Sequence, residues 1–339
     1  MKIKCTILWF SVTFIFVAQS PNVLAGKLNA YSSYSSFSSR DSVLRDTLIR
    51  IESNKKAGFN FPYYLFIPKG TVKDHQYLLV EANNTGGNDT LSYHDLMTKK
   101  QAESKSLGNS ISRRLHVPFL MPAFPRPFTN WKIYTHSLDR DAVLIDTGSW
   151  KRLDLQLIAM IESAAKELSN LDITINKKIL MNGFSASGTF ANRFTMIHPN
   201  RVAATAMGGV NAITILPIKS LEKYPLNYPI GINDFDKIFG SKPNIRLYKT
   251  IPQLIYMGEK DTNDAVLFDD GYSPDEREII FDALGKEMIP MRWDKCKLIL
   301  EANHINAIFK LFADIGHGTN KKINSEIAEF FKSVINERN

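Results

Sequence analysis

Cysteine is nearly absent from this chain. Cys5 and Cys296 are the only two among 339 residues, so at most one bridge can form, which excludes a disulfide-rich scaffold and argues against Cys-based zinc sites. Clusters of Lys and Arg interleaved with aromatics are also lacking, and the net charge of +8 is spread along the chain, which gives no nucleic-acid footprint. No internal repeat is visible. What is present is ordinary: 44% hydrophobic and 22% charged residues match a folded domain and exclude a disordered or collagen-like chain. The length allows one large domain or two ordinary ones, and such a chain buries about 75% of its unfolded surface without covalent staples.

The one pronounced apolar run lies in MKIKCTILWFSVTFIFVAQSPNVLA, residues 1–25. Two lysines precede about 14 apolar residues from Cys5 to Ala18, fewer than the roughly 20 a bilayer span needs. Val23, Leu24 and Ala25 then supply a small-residue cleavage site, which is the pattern of a secretory signal peptide. No lipobox precedes Cys5. Removal of 25 residues from 339 leaves 314, and loss of Lys2, Lys4 and Cys5 leaves a charge of +6 and the single thiol of Cys296. The expectation is a secreted or periplasmic protein with no membrane anchor after cleavage and no internal disulfide. Residues 26–44, with the Ser/Tyr-rich stretch AYSSYSSFSSR at 30–40, read as a linker to one domain at 45–339.

Short apolar runs at 63–67, 77–82, 117–121, 179–181, 202–207, 254–257 and 307–312 read as strands buried on both faces, as a parallel sheet covered by helices requires. Leu157, Ile158, Ile161, Ala164 and Leu168 follow a helical period, as do Ile327, Phe330, Phe331, Val334 and Ile335. Ser273-Pro274-Asp275-Glu276 starts another helix with a capping box, and Gly285 stops it. The alternation predicts an α/β fold with a mostly parallel sheet. Thr47 to Ile51 and Tyr63 to Ile67 have no helix between them and are expected to open the sheet as an antiparallel pair. Residues 211–250, rich in Pro, Asn, Tyr and Lys, read as a lid or substrate-loop insertion over one end of the sheet.

The sharpest motif is GFSASG. A strand at 179–181 runs into Gly183-Phe184-Ser185-Ala186-Ser187-Gly188 and then a helix ending before Pro199, the context of a G-x-S-x-G nucleophile elbow. The tight turn demands small residues two before and two after the serine; Gly183 and Ser187 meet this, with Ser187 in place of the usual glycine. A second register, with Ser187 reactive and Ser185 structural, is poorer because Thr189 is β-branched. A serine hydroxyl needs a base and an orienting carboxylate. Asp261 stands just beyond the strand that ends near Met257, with Asp264 three residues later as the alternative acid. His317 sits in DIGHG, between glycines and before the last helix. The remaining histidines read as surface or packing residues.

In the order Ser, Asp, His, the segments GFSASG, YMGEKD and DIGHG make the chain resemble an α/β-hydrolase-fold serine hydrolase. It is most similar to exported polyhydroxyalkanoate-depolymerase-like and dienelactone-hydrolase-like esterases and, more distantly, to prolyl-oligopeptidase-like peptidases. The resemblance covers residues 45–336. It implies Ser185 as nucleophile, Asp261 as orienting acid, His317 as general base, and no cofactor or metal. The usual His-Gly after an early strand is missing; Asn83-Asn84-Thr85-Gly86-Gly87 stands there. Asn84 or Thr85 is therefore the candidate for one oxyanion donor, beside the N–H of Ala186. Asn83-Asn84-Thr85 and Asn88-Asp89-Thr90 also match a glycosylation sequon. Phe124 and Arg126, in a Pro-rich loop, and Tyr228, in the lid segment, are candidate substrate contacts.

The expectation is an exported serine esterase acting on a small-molecule or polymeric ester, with no nucleic-acid partner. Ester cleavage is preferred to peptide cleavage because the chain lacks the long N-terminal region in which prolyl-oligopeptidase-like enzymes carry a propeller. The alternatives are such a peptidase, or a noncatalytic glycan- or polymer-binding protein on the same scaffold.

Overall fold

The structure, a computed structural model, describes residues 42–338. The expected signal peptide and nearly all of the linker lie outside them. The strands are β1 (Thr47–Ile51), β2 (Tyr63–Ile67), β3 (Leu79–Glu81), β4 (Phe119–Pro122), β5 (Ile179–Phe184), β6 (Val202–Gly208), β7 (Ser220–Leu221), β8 (Tyr224–Pro225), β9 (Gln253–Gly258) and β10 (Ala307–Phe312). The helices are α1 (Leu91–Lys100), α2 (Leu107–Leu115), α3 (Arg140–Val143), α4 (Leu153–Ser169), α5 (Ala186–Ile197), α6 (Phe235–Phe239), α7 (Ile245–Tyr248), α8 (Pro274–Ala283), α9 (Trp293–Ala302) and α10 (Lys321–Arg338).

Eight strands form one sheet in the order β1-β2-β4-β3-β5-β6-β9-β10. The expected antiparallel pair opens it, with Thr47 opposite Ile67 and Ile51 opposite Tyr63. β2 also runs antiparallel to β4, and from β4 onward every pairing is parallel. Side chains alternate across the sheet because the strand period is two. Tyr63, Leu65, Ile67, Ile179, Met181, Ile255 and Met257 enter the larger core with α4, α5, α8 and α9. Tyr64, Phe66, Leu180, Leu254 and Tyr256 enter the smaller core with α2 and α10. Burial on both faces explains the continuous apolar runs.

Two elements depart from the expected pattern. β10 is half exposed in alternation rather than buried, because it is the edge strand and only one face is covered. Residues 211–250 hold β7, β8, α6 and α7, and Ile213, Ile215, Leu216, Leu226, Tyr228, Ile230 and Phe235 are packed into the larger core. Cys296, buried on the core face of α9, is a free thiol pushed up to about 11 by burial.

The sheet interior holds one carboxyl. Glu81, paired in register with Asn182 and bonded to its side-chain amide, is 5% exposed. Burial lifts it to about 7 against the hydrogen bonds from Asn182 and the Gly108 amide. Its raised value makes the folded protein keep a proton that the unfolded chain releases near 4.5. Stability is therefore lost as pH rises from about 4.5 to 7, by roughly 3 kcal/mol at one pKa unit per 1.36 kcal/mol. Glu81→Gln keeps an oxygen for Asn182 and is expected to flatten that stretch. Urea unfolding at pH 5 and pH 8 checks this, and an unchanged difference between the two pH values contradicts it.

Candidate active site

The loops at the carboxyl ends of β5, β9 and β10 meet at one place, where open α/β sheets bind ligands. Ser185 connects β5 to α5 with φ 61° and ψ −129°, a strained turn for a residue with a Cβ. The turn is held from below: the Ser185 amide donates to Gly208 O at 2.8 Å and the Thr189 amide to Ser185 O at 3.0 Å. Two glycines make it possible. A Cβ on Gly183 would stand 2.1 Å from the Ser187 carbonyl oxygen, and one on Gly188 would stand 2.4 Å from that of Gly208. The close approach thus falls on Gly188 rather than on position 187, so a serine is tolerated there. The Ser187 hydroxyl is spent within the turn, accepting from the Phe184 amide at 3.0 Å and donating to its carbonyl at 2.9 Å. Ser185 Oγ faces the cleft and has no hydrogen-bond partner among the described residues.

Asp261 and His317 are joined. Asp261 Oδ2 lies 2.9 Å from His317 Nδ1, and its Oδ1 accepts the Asn263 amide at 2.9 Å. The carboxylate side chain is 1% exposed and the imidazole 26%. The two loops are tied together by Glu259 N–H to Phe312 O at 2.9 Å and Lys260 N–H to Ile315 O at 2.8 Å. With Nδ1–H donating to Asp261, Nε2 carries the lone pair. Asn263 Nδ2 donates to it at 3.2 Å. The Phe184 ring packs at 4.9 Å from the imidazole. Asp264 is turned elsewhere, capping the Val266 amide and pairing with the fully buried Arg292.

A small cleft opens at Ser185 and runs along α5, bordered by Ala186, Thr189, Arg193, Tyr134 and Asn263. Of the residues expected near it, Asn84 gives its amide to Gln101 Oε1 at 3.4 Å. Thr85 bonds His94 Nδ1 through its hydroxyl at 2.7 Å and accepts from the Tyr93 hydroxyl at 2.8 Å. Neither borders the cleft. Ala186 does, as the first residue of α5, where amides lack carbonyl partners of their own helix.

The expected substrate contacts need correction. Phe124 is fully buried between Phe61 and Phe190. Tyr228 is fully buried and donates to Leu138 O, because its segment joins the core. Arg126 stands one layer back, paired with Asp270 at 2.7 Å and lying 3.6 Å over the Tyr134 ring. The side chains that do line the cleft were legible in part: Thr189 and Arg193 follow Ser185 at four and eight residues, one face of the predicted helix. Tyr134, Ser137 and Tyr272 carry no such signal.

No family model matches the chain, and no curated protein matches it. Among solved structures, it is similar to poly(aspartic acid) hydrolase-1 from Sphingomonas sp. KT-1, with a TM-score of 0.53 and 14% identity over 85% of this chain and 97% of that one. A ferulic acid esterase gives a TM-score of 0.48 with 12% identity over 86% and 98% of the two chains. An S-formylglutathione hydrolase from Agrobacterium tumefaciens gives 0.47 with 12% identity over 85% and 94%. At such identities the likeness is one of fold. The mostly parallel eight-stranded sheet with helices on both faces is an α/β-hydrolase fold.

Proposed function

We propose that this chain is a serine hydrolase that cleaves carboxylic esters through an acyl-enzyme on Ser185. The observation that carries the reading is the 2.9 Å bond from His317 to Asp261 beside a serine in a strained strand-to-helix turn. His317 Nε2 exchanges its Asn263 partner for the Ser185 hydroxyl when substrate enters, and takes the proton as Oγ attacks the carbonyl carbon. Asp261 holds the imidazole in the required tautomer and stabilises the imidazolium. The Ala186 amide donates to the oxyanion. Of the second donors expected from the sequence, the Asn84 amide is engaged by Gln101 and neither Asn84 nor Thr85 borders the cleft, so the reading rests on the Ala186 amide. The imidazolium then protonates the leaving alcohol, and a water activated by the same base releases the acid.

The esterase and hydrolase names borne by the fold relatives agree with this reading. The experiment is to label the protein with a fluorophosphonate probe and compare 4-nitrophenyl butyrate with a peptide 4-nitroanilide. Labelling and faster ester cleavage are expected. Faster anilide cleavage would make the chain a peptidase, and absence of both labelling and turnover would make it a binding protein.

A further inference from the structure

Arg193 is 2% exposed, yet it borders the same cleft as Ser185. A dehydrated guanidinium ordinarily contacts a carboxylate, because the desolvation cost is otherwise unmet. The other well-covered arginines do: Arg292 pairs with Asp264, Arg126 with Asp270 and Arg152 with Asp154. Arg193 does not. Its contacts are all neutral: NH1 to the Ser137 carbonyl at 3.0 Å and hydroxyl at 3.5 Å, and NH2 to the Tyr272 hydroxyl at 3.2 Å.

The neighbouring acids, Asp139 and Glu276, favour its charge without hydrogen-bonding to it. Asp139 Oδ1 accepts the Ala142 amide and Glu276 Oε2 that of Ser273, while Glu276 Oε1 is buried with no partner among the described residues. Burial pushes the Asp139 carboxyl up to about 7, outweighing the pull of Arg193. Asp269 and Asp270 are already paired with Arg277 and Arg126.

We propose that Arg193 recognises a carboxylate, so that the preferred substrate is an ester bearing a second, free carboxylate on the part that lies along α5. This rests on the ester-hydrolase reading of the same cleft. Eight residues of helix rise about 12 Å, and a helical arginine leans back toward the N-terminus. That leaves room for a spacer of roughly three to five carbons between the ester carbonyl and the acid.

The test compares kcat/KM for the 4-nitrophenyl hemiesters of glutarate and adipate with 4-nitrophenyl valerate. A second arm places the carboxylate on the alcohol side, as a carboxybutyl ester of benzoate against its pentyl ester. The carboxylated member of one arm is expected to be preferred at least tenfold. In Arg193→Met the ratio should fall to near one, and in Arg193→Lys only in part; a merely structural loss lowers both members of a pair together. Glutarate binding to Ser185→Ala, measured by calorimetry, should vanish when Arg193→Met is added. Turnover of neutral esters with no carboxylate preference and no glutarate binding overturns the role of Arg193 alone. Absence of labelling and of all turnover overturns the hydrolase reading, while glutarate binding lost with Arg193→Met would still uphold the anion site.

Discussion

Ser185→Ala is expected to lower kcat/KM for esters by about 10⁵-fold or more and to abolish fluorophosphonate labelling, with the melting temperature nearly unchanged. The size follows from the unit of three: without Oγ the base and its carboxylate have nothing to activate, and only the oxyanion donors and binding contribute. The stability expectation comes from the backbone. Alanine retains the Cβ, so the strain at φ 61° persists unaltered, and Ser185 Oγ has no hydrogen bond to lose among the described residues. Ser185→Gly sharpens the contrast. It should be equally inactive but more stable by about 1 kcal/mol, since glycine adopts a positive φ without steric cost. Thermal melts and steady-state rates on the three proteins separate the effects. Residual activity in Ser185→Ala within tenfold of the parent would remove the nucleophile from Ser185.

Much of this architecture was legible because two physical constraints write themselves into sequence. Strands covered on both faces must be apolar at most positions, and the turn around Ser185 must be built from residues that let two backbones nearly touch. Gly183 and Gly188 record the second constraint directly. The loops after β9 and β10 could be placed for the same reason, since strand ends were visible on either side of Asp261 and His317.

What remained hidden depends on long-range packing. Tyr228 and Phe124 sit in Pro-rich stretches that read as surface loops, but the partners they meet come from distant parts of the chain: Leu138 O accepts from the Tyr228 hydroxyl across 90 positions. The partner of Arg193 is similarly remote, because Tyr272 lies 79 residues away. Glu81, in a run that otherwise looks like any buried strand, gives no local sign that its carboxyl meets Asn182 rather than water.

The two aspartates of the β9 loop should fail in opposite ways. Asp261→Asn is expected to reduce kcat by about 10³ to 10⁴-fold with little change in melting temperature. An asparagine amide turned toward Nδ1 makes that nitrogen an acceptor and moves the proton to Nε2, the atom that must receive it from Ser185. Asp264→Asn should instead leave the folded enzyme within about tenfold of normal rate while destabilising it by roughly 3 to 5 kcal/mol. The reason is Arg292: it is fully buried, and its Nε and NH1 already lack partners, so Asp264 is the carboxylate that offsets its charge. A double change, Asp264→Leu with Arg292→Met, removes both charges and should recover part of the lost stability, which a simple packing defect at position 264 would not do. Rates taken well below each variant's melting point, beside urea unfolding curves, make the comparison. A rate collapse in folded Asp264→Asn with Asp261→Asn nearly normal would exchange the two roles.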